Sequence, residues 1–251
     1  MLKRALLLFN TVKYLKFGQI TNRIKRKIIK STIDFSRAPE VSVTGSALKP
    51  VIKCQQKMFE NALFRFLNKE FNIKSREDWN SDNQDKLWLY NLHYFDDLTA
   101  TNSEERTKQH YDLIQRWINE NLPGEGNGWE PYPSSLRIVN WIKWSLLNVD
   151  LKQEWLDSLA IQVRFLSQNL EYHLLGNHLF ANAKALIFSG LYFQGPEADK
   201  WYKSGIRILI QELPEQVLAD GGHFELSPMY HAIFLEDLLD LVNVHQAYSV
   251  P

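Results

Sequence analysis

From about Ser103 onward, apolar side chains recur with helical rather than alternating spacing, and short connections join the segments that carry the pattern. Helices are expected at roughly 104–121, 134–149, 152–171, 177–193, 197–213 and 228–248, with loops such as "PGEGNGWEPYP", "LLG" and "LADGGHFELSP" between them. Consecutive helices on short connections pack as antiparallel neighbours, so this part of the chain builds helical hairpins. Hairpins in series either close into a ring with inner and outer layers or stack as an open solenoid. No strict repeat of the solenoid kind is present, which favours the ring. The fold class expected is all-α, an (α/α) toroid. The helical pattern "LEDLLDLVNVHQAYSVP" runs almost to the last residue, so the ring is expected to be incomplete and the chain to be the front part of something longer.

Upstream the pattern is less regular. The spacing of Met58, Phe59, Leu63, Phe66 and Leu67 predicts a helix from Cys54 to Glu70. "DKLWLYNLHYFDDL" satisfies both periods, alternating like a strand in "LWLYNLHY" while Leu87, Tyr90, Tyr94 and Leu98 fit a helix. "DFSRAPEVSVTGSALKP" reads as a connector. Residues 1–33 hold nine Lys and Arg and no acid, so within a chain of net charge zero this arm carries +9 and the remainder −9. Residues 1–50 are expected to form this basic arm and its connector, and 51–251 the helical domain. Within the arm Leu6, Phe9, Leu15, Phe17, Ile20, Ile24 and Ile28 are spaced loosely as one helical face. That face either docks on the acidic body, the reading favoured here, or rests on anionic lipid as a peripheral membrane contact.

Several function classes are excluded or weakened. The single Cys54 leaves no internal disulfide framework and no multi-cysteine metal site. No H-E-x-x-H, Walker or G-x-G-x-x-G motif occurs, so neither a metal nor another cofactor is expected. No G-x-S-x-G elbow marks a serine hydrolase. Nucleic acid is not an expected partner, because the basic residues are confined to the arm. "ALLLFN" is too short for a secretory core and no stretch is long enough to span a bilayer, an expectation that favours the cytoplasm and leaves the periplasm open.

Three polar clusters interrupt the apolar pattern where loops lead into helices. In "NGWEPYPSSLRIVNWIKW", Arg137, Trp141 and Trp144 fall at i, i+4 and i+7, which suits either a carboxylate-binding wall or an arginine stacked on indoles at a helix junction. In "LLGNHLFANAKALIFSGLYF", Asn177 and His178 head an otherwise greasy helix. Asn177 fits an N-cap, but capping leaves His178 without a task. In "ADGGHFELSPMYHAIFLEDL", Ser227 and Pro228 announce a helix start, which puts Tyr230 and His231 in the first turn at the positive end of the helix dipole. Glu225 lies just before it. Aromatic residues make up 13% of the chain, and Asn91, Tyr94 and Tyr132 sit where aromatic faces adjoin hydrogen-bonding groups, as sugar sites require and ordinary helix packing also provides. An inverting glycosidase using Asp220 and Glu225 remains open on these residues.

"WEPYPSSLRIVNW", "LLGNHLFANAKAL" and "GGHFELSPMYHAIFLEDLLDL", in this order, resemble the toroid domain of heparinase II/III-type polysaccharide lyases over about residues 85–251, and "KYLKFGQITNRIKRK" resembles the start of members associated with bacterial surface-polysaccharide gene clusters. The resemblance implies a helical toroid followed by a β-sandwich domain, which this chain does not contain, with an acidic polysaccharide held between them. It implies β-elimination next to a uronic acid. Asn177, with His178 beside it, would neutralise the sugar carboxylate, and Tyr230 would act as general acid and in some members also as base. A free tyrosine titrates near pH 10, so a phenolate base needs positive charge or donors nearby. Arg137, Trp141, Tyr132, Asn91, Tyr94, Glu225 and His231 are the expected substrate-binding residues. A non-catalytic sugar-binding or assembly protein is the third reading.

Overall fold

The computed structural model describes residues 7, 10, 12–49, 52–147 and 150–249. Eight α-helices run through the described residues: α1 (Phe17–Ile28), α2 (Lys86–Tyr94), α3 (Thr107–Glu120), α4 (Pro131–Leu146), α5 (Gln153–Gln168), α6 (Gly176–Tyr192), α7 (Pro196–Gln216) and α8 (Pro228–Ala247). Helices α2, α4, α6 and α8 pack in succession as an inner row, and α3, α5 and α7 lie behind them as an outer row. The chain therefore alternates inner and outer helices through antiparallel hairpins, in the two layers expected of an (α/α) toroid. Leu6 and Phe9 of the expected arm face, and residues 148–149 at the expected end of α4, lie outside the described residues.

The most enclosed element is α6, flanked by α4, α5, α7 and α8, and its side chains from Leu179 through Ser189 are all buried. Its contact with α7 is close enough to require glycine. A Cβ at Gly190 would meet the Tyr202 backbone nitrogen at 2.6 Å, and one at Gly205 would meet the Ala183 carbonyl at 2.8 Å. Helix α7 continues through Pro214, beyond the end expected at residue 213, because the missing N–H falls only two residues before the helix stops. Helix α8 starts as expected, with Ser227 as N-cap and Pro228 in its first turn.

The helix expected over Cys54 to Glu70 is not formed. This segment gives a three-stranded antiparallel sheet, β1 (Met58–Phe59), β2 (Leu63–Phe66) and β3 (Lys69–Asn72). Alternation prevails because Phe64 and Phe66 both point to the core, with Phe66 edge-on to Trp88 at 5.2 Å. Leu67 and Asn68 adopt positive φ in the two-residue turn between β2 and β3, which leaves Leu67 exposed. The ambiguous stretch after it is helix α2, closed by Phe95 in the left-handed conformation.

The segment leading into the body is held by specific contacts. Arg164 of α5 donates to the Ser36 and Arg37 carbonyls, the Ala38 N–H donates to Asp157, and Ser42 N–H donates to the Tyr192 carbonyl.

Candidate functional site

Helices α4, α6 and α8 present polar residues to a shared groove. On α4, Tyr132, Leu136, Asn140 and Lys143 fall on one stripe. On α8, Ile233, Glu236, Asp237 and Asp240 face it, and Lys184 of α6 closes the floor. With Tyr94 and Asp96 from the end of α2, they line a cavity of about 270 Å³.

The floor is an ion-pair network. Lys143 Nζ lies 2.9 Å from Asp240 Oδ2, while Lys184 Nζ lies 2.6 Å from the same oxygen and 2.7 Å from Asp237 Oδ1. Burial alone would lower the Lys184 pKa, but Asp237 and Asp240 outweigh it and hold the ammonium above the ordinary lysine range. Burial likewise opposes ionisation of Asp240, and Lys184 and Lys143 overcome it and hold the carboxyl below its usual range. Each buried charge is thus met by an opposite one, so the floor presents little net charge. Asp96 and Glu236 differ: burial raises both carboxyls, despite the hydrogen bond from Asn140 to Asp96 and the lysines near Glu236.

At the mouth, Tyr132 packs its ring against His178 with centroids 4.6 Å apart and meets Tyr94 edge-on at 6.0 Å. Burial pushes the Tyr132 phenol up to about 12, with Asp237, Tyr230, Asp96 and Glu171 adding to the shift. Tyr230 stands in the first turn of α8, half-buried, its ring stacked on that of buried His223 at 6.2 Å. His178 Nδ1 lies 3.2 Å from Glu171 Oε1, and its Nε2 makes no hydrogen bond among the described residues. Glu171 is buried and held in turn by Asn182, whose Nδ2 donates to Glu171 Oε2 (3.1 Å) and Ser135 Oγ (3.0 Å) while its Oδ1 accepts the Glu171 N–H (2.8 Å). A hydrogen-bonded chain from α4 through α6 therefore fixes the imidazole.

The start of α6 is unusual. Leu175 adopts φ 63°, ψ −159°, a region that is essentially glycine's own, and Gly176 follows at φ 58°. Leu175 rather than Asn177 is the N-cap, and Asn177 sits in the first turn, half-buried, with its amide making no side-chain hydrogen bond among the described residues.

Three expected substrate-binding residues are placed elsewhere. Arg137 is fully buried behind the groove, its guanidinium stacked on Trp117 at 3.8 Å and donating to Gln162, Ser134 and the His93 carbonyl. Burial lowers its pKa, and no carboxylate contacts it among the described residues. Trp141 is fully buried between Phe95 and Trp117. Both belong to the core because α4 is enclosed on both faces, so its indole stripe never reaches solvent. Asn91 turns back on its own helix to donate to the Leu87 carbonyl, on the side of α2 that faces Phe64 and Phe66. Tyr132 and Tyr94 line the groove and His178 packs on Tyr132, while Tyr230 stands in the first turn of α8, one turn ahead of groove-lining Ile233; Glu225 and His231 stand exposed beside the head of α8. Asp220 is exposed and caps its own turn, so neither carboxylate of the glycosidase reading lines the groove. Glu171 and Asn182 are functional candidates that sequence reasoning missed. Among the described residues no group of three His, Cys, Asp or Glu is arranged to hold a metal ion.

Residues 9–250 match the Heparinase II/III N-terminus family. This chain belongs to that family. Among the relatives of this heparinase II/III N-terminal chain is the heparin-sulfate lyase of Pedobacter heparinus, 24% identical over 232 residues, which cover 82% of this chain and 34% of that protein. The heparin-sulfate lyase of Bacteroides thetaiotaomicron is 28% identical over 161 residues, 59% of this chain and 23% of that protein. That of Bacteroides stercoris is 39% identical over 79 residues, 31% and 12% respectively. The chain thus spans about a third or less of the curated relatives it matches. The crystal structure of heparan sulfate lyase HepC from Pedobacter heparinus superposes with a TM-score of 0.48 at 19% identity, covering 74% of this chain and 32% of that one.

Proposed function

We propose that this chain is the helical part of a polysaccharide lyase that cleaves a uronic-acid-containing chain by β-elimination. In that reaction a base removes the proton from carbon 5, the electrons pass through an enolate into a carbon 4–carbon 5 double bond, the bond from carbon 4 to the bridging oxygen breaks, and the departing oxygen takes up a proton. The carbon 5 proton becomes acidic only when the adjacent carboxylate's charge is met by donors. The Asn177 amide, with its unused hydrogen-bonding capacity, and the His178 imidazole fill that role in this reading. Tyr230 is the general acid to the leaving oxygen.

The observation that carries the reading is the packing of His178 on groove-lining Tyr132, with the imidazole fixed by Glu171 and Asn182 and with Tyr230 one turn ahead of groove-lining Ile233 on α8. The family membership and the kind of relative add support. A second acid–base residue is assigned in this reading to a following domain, as the family resemblance implies.

The test is a product assay with a version of this chain extended through a β-sandwich domain. With uronate polymers it is expected to form an unsaturated sugar absorbing in the ultraviolet, and Tyr230→Phe and Asn177→Ala are expected to abolish the signal. Saturated reducing ends, lost with Glu225→Gln and kept with Tyr230→Phe, would replace this reading with the glycosidase.

A further inference from the structure

Helix α1 is attached to the body by the wrong face. Gln19 and Arg26, at i and i+7, turn inward: Gln19 Nε2 donates to the His173 and Leu174 carbonyls at 3.4 Å, and Arg26 Nη1 lies 3.2 Å from His173 Nδ1. Lys16, just ahead of the helix, pairs with Glu215 at 2.7 Å. The opposite stripe is apolar and points outward. Phe17, Ile24 and Ile28, at i, i+7 and i+11, are 81%, 54% and 73% exposed, Ile20 between them is half-buried, and the helix has no buried residue. An amphipathic helix on a protein surface ordinarily does the reverse, because exposing three large apolar side chains forgoes their transfer from water.

Charge identifies what covers this stripe. On the helical projection Lys25 flanks the apolar arc on one side and Arg23 and Lys27 on the other, and Lys30 follows the helix. Among the described residues none of these cations pairs with a carboxylate, although the rest of the chain carries −9. The apolar arc with cations on both shoulders matches an interfacial helix that sinks its apolar face at the acyl boundary and sets its lysines among anionic headgroups. An acidic polysaccharide would engage the cations and leave Phe17, Ile24 and Ile28 in water. Among the described residues no helix is long and apolar enough to cross a membrane, so the contact is peripheral.

We infer that α1 docks the protein on an anionic lipid surface, with Phe17, Ile24 and Ile28 inserted and Arg23, Lys25 and Lys27 on the headgroups. Its inward face grips residues 173–174, directly ahead of Asn177, so the groove is held close to that surface. The inference does not depend on which reaction the groove performs.

The experiment is co-sedimentation of the 251-residue chain with vesicles of phosphatidylcholine containing phosphatidylglycerol, and with vesicles of phosphatidylcholine alone. Binding is expected to the anionic vesicles and to weaken with salt. Ile24→Glu and Phe17→Glu are expected to reduce it about tenfold or more each, the size of losing one large apolar side chain from the lipid, while circular dichroism and Tm are unchanged because both sites are exposed. Three outcomes would overturn the inference: no binding to anionic vesicles at low salt, binding unaffected by Ile24→Glu, or a stable dimer in lipid-free light scattering that Ile24→Glu dissociates. Retention by an anionic polysaccharide column that persists in Ile24→Glu, without vesicle binding, would assign the cations to the glycan instead.

Discussion

The His178 imidazole lies 4.6 Å, centre to centre, from the Tyr132 phenol ring, which joins the head of α6 to the first turn of α4 across the mouth of the groove. Neither residue holds this position alone. His178 is fixed through Glu171 by Asn182, which is fully buried and satisfies three partners at once. Replacing Asn182 with Ala leaves a buried N–H, a carboxylate oxygen and a hydroxyl short of partners. The expected loss is about 2–4 kcal/mol of stability, read as a fall in the urea midpoint. Glu171→Gln keeps most of the hydrogen bonds and is expected to cost less in the same measurement.

Arg137 supplies a prediction that separates core from site. Arg137→Ala opens a cavity beside Trp117 and strips Gln162, Ser134 and the His93 carbonyl of their donor, so a loss of about 3 kcal/mol or more is expected in chemical denaturation. A variant of unchanged stability that loses only affinity for acidic oligosaccharide would return Arg137 to the substrate wall.

These two residues also mark what the sequence could and could not reveal. The motifs around Asn177 and Tyr230 are local, and helix-start chemistry, with Ser227 capping and Pro228 following, places Tyr230 correctly without any knowledge of neighbours. The alternation of inner and outer helices follows from short loops in the same way. For Arg137, periodicity identifies a stripe but not its direction, and the stripe it shares with Trp141 packs on Trp117 and Phe95 rather than lining the groove. Glu171 carries no such local signal, because it reaches His178 across a turn in which Leu175 and Gly176 both have positive φ and obey no helical spacing. The hairpin of β2 and β3 carries a helical spacing in Met58, Phe59, Leu63, Phe66 and Leu67, and only the packing of Phe64 together with Phe66 on the core decides for alternation.

Acid stability should report on Asp97. Its carboxylate accepts from the Lys57 and Met58 N–H groups and lies 2.9 Å from Arg106 Nε and 2.8 Å from His110 Nε2. Burial acts to raise this carboxyl, but these donors prevail and hold it at about 2, below the usual 3.8. A carboxyl depressed on folding stabilises the protein fully above its unfolded pKa, and that stability is lost as the pH falls toward the folded value. Asp97 is therefore expected to contribute about 2 kcal/mol at neutral pH, lost between about pH 4 and 2. Asp97→Asn should flatten the stability profile in that window; an unchanged slope between pH 4 and 2 would refute the assignment.

Leu175 gives the sharpest test of the site's backbone. A leucine at φ 63°, ψ −159° stores strain of about 1–3 kcal/mol, and glycine relieves it while adding about 0.5–1 kcal/mol of unfolded-state entropy to overcome. Leu175→Gly is therefore expected to be neutral to stabilising by about 1–2 kcal/mol in thermal unfolding. Yet the strained leucine fixes the direction in which α6 leaves Glu171 and so the place of Asn177 and His178, and glycine would let that turn move. The ultraviolet signal of the product assay proposed above should fall while Tm holds or rises. If both fall together, the conformation is not strained as the backbone angles indicate; if neither changes, the turn does not position the two polar residues.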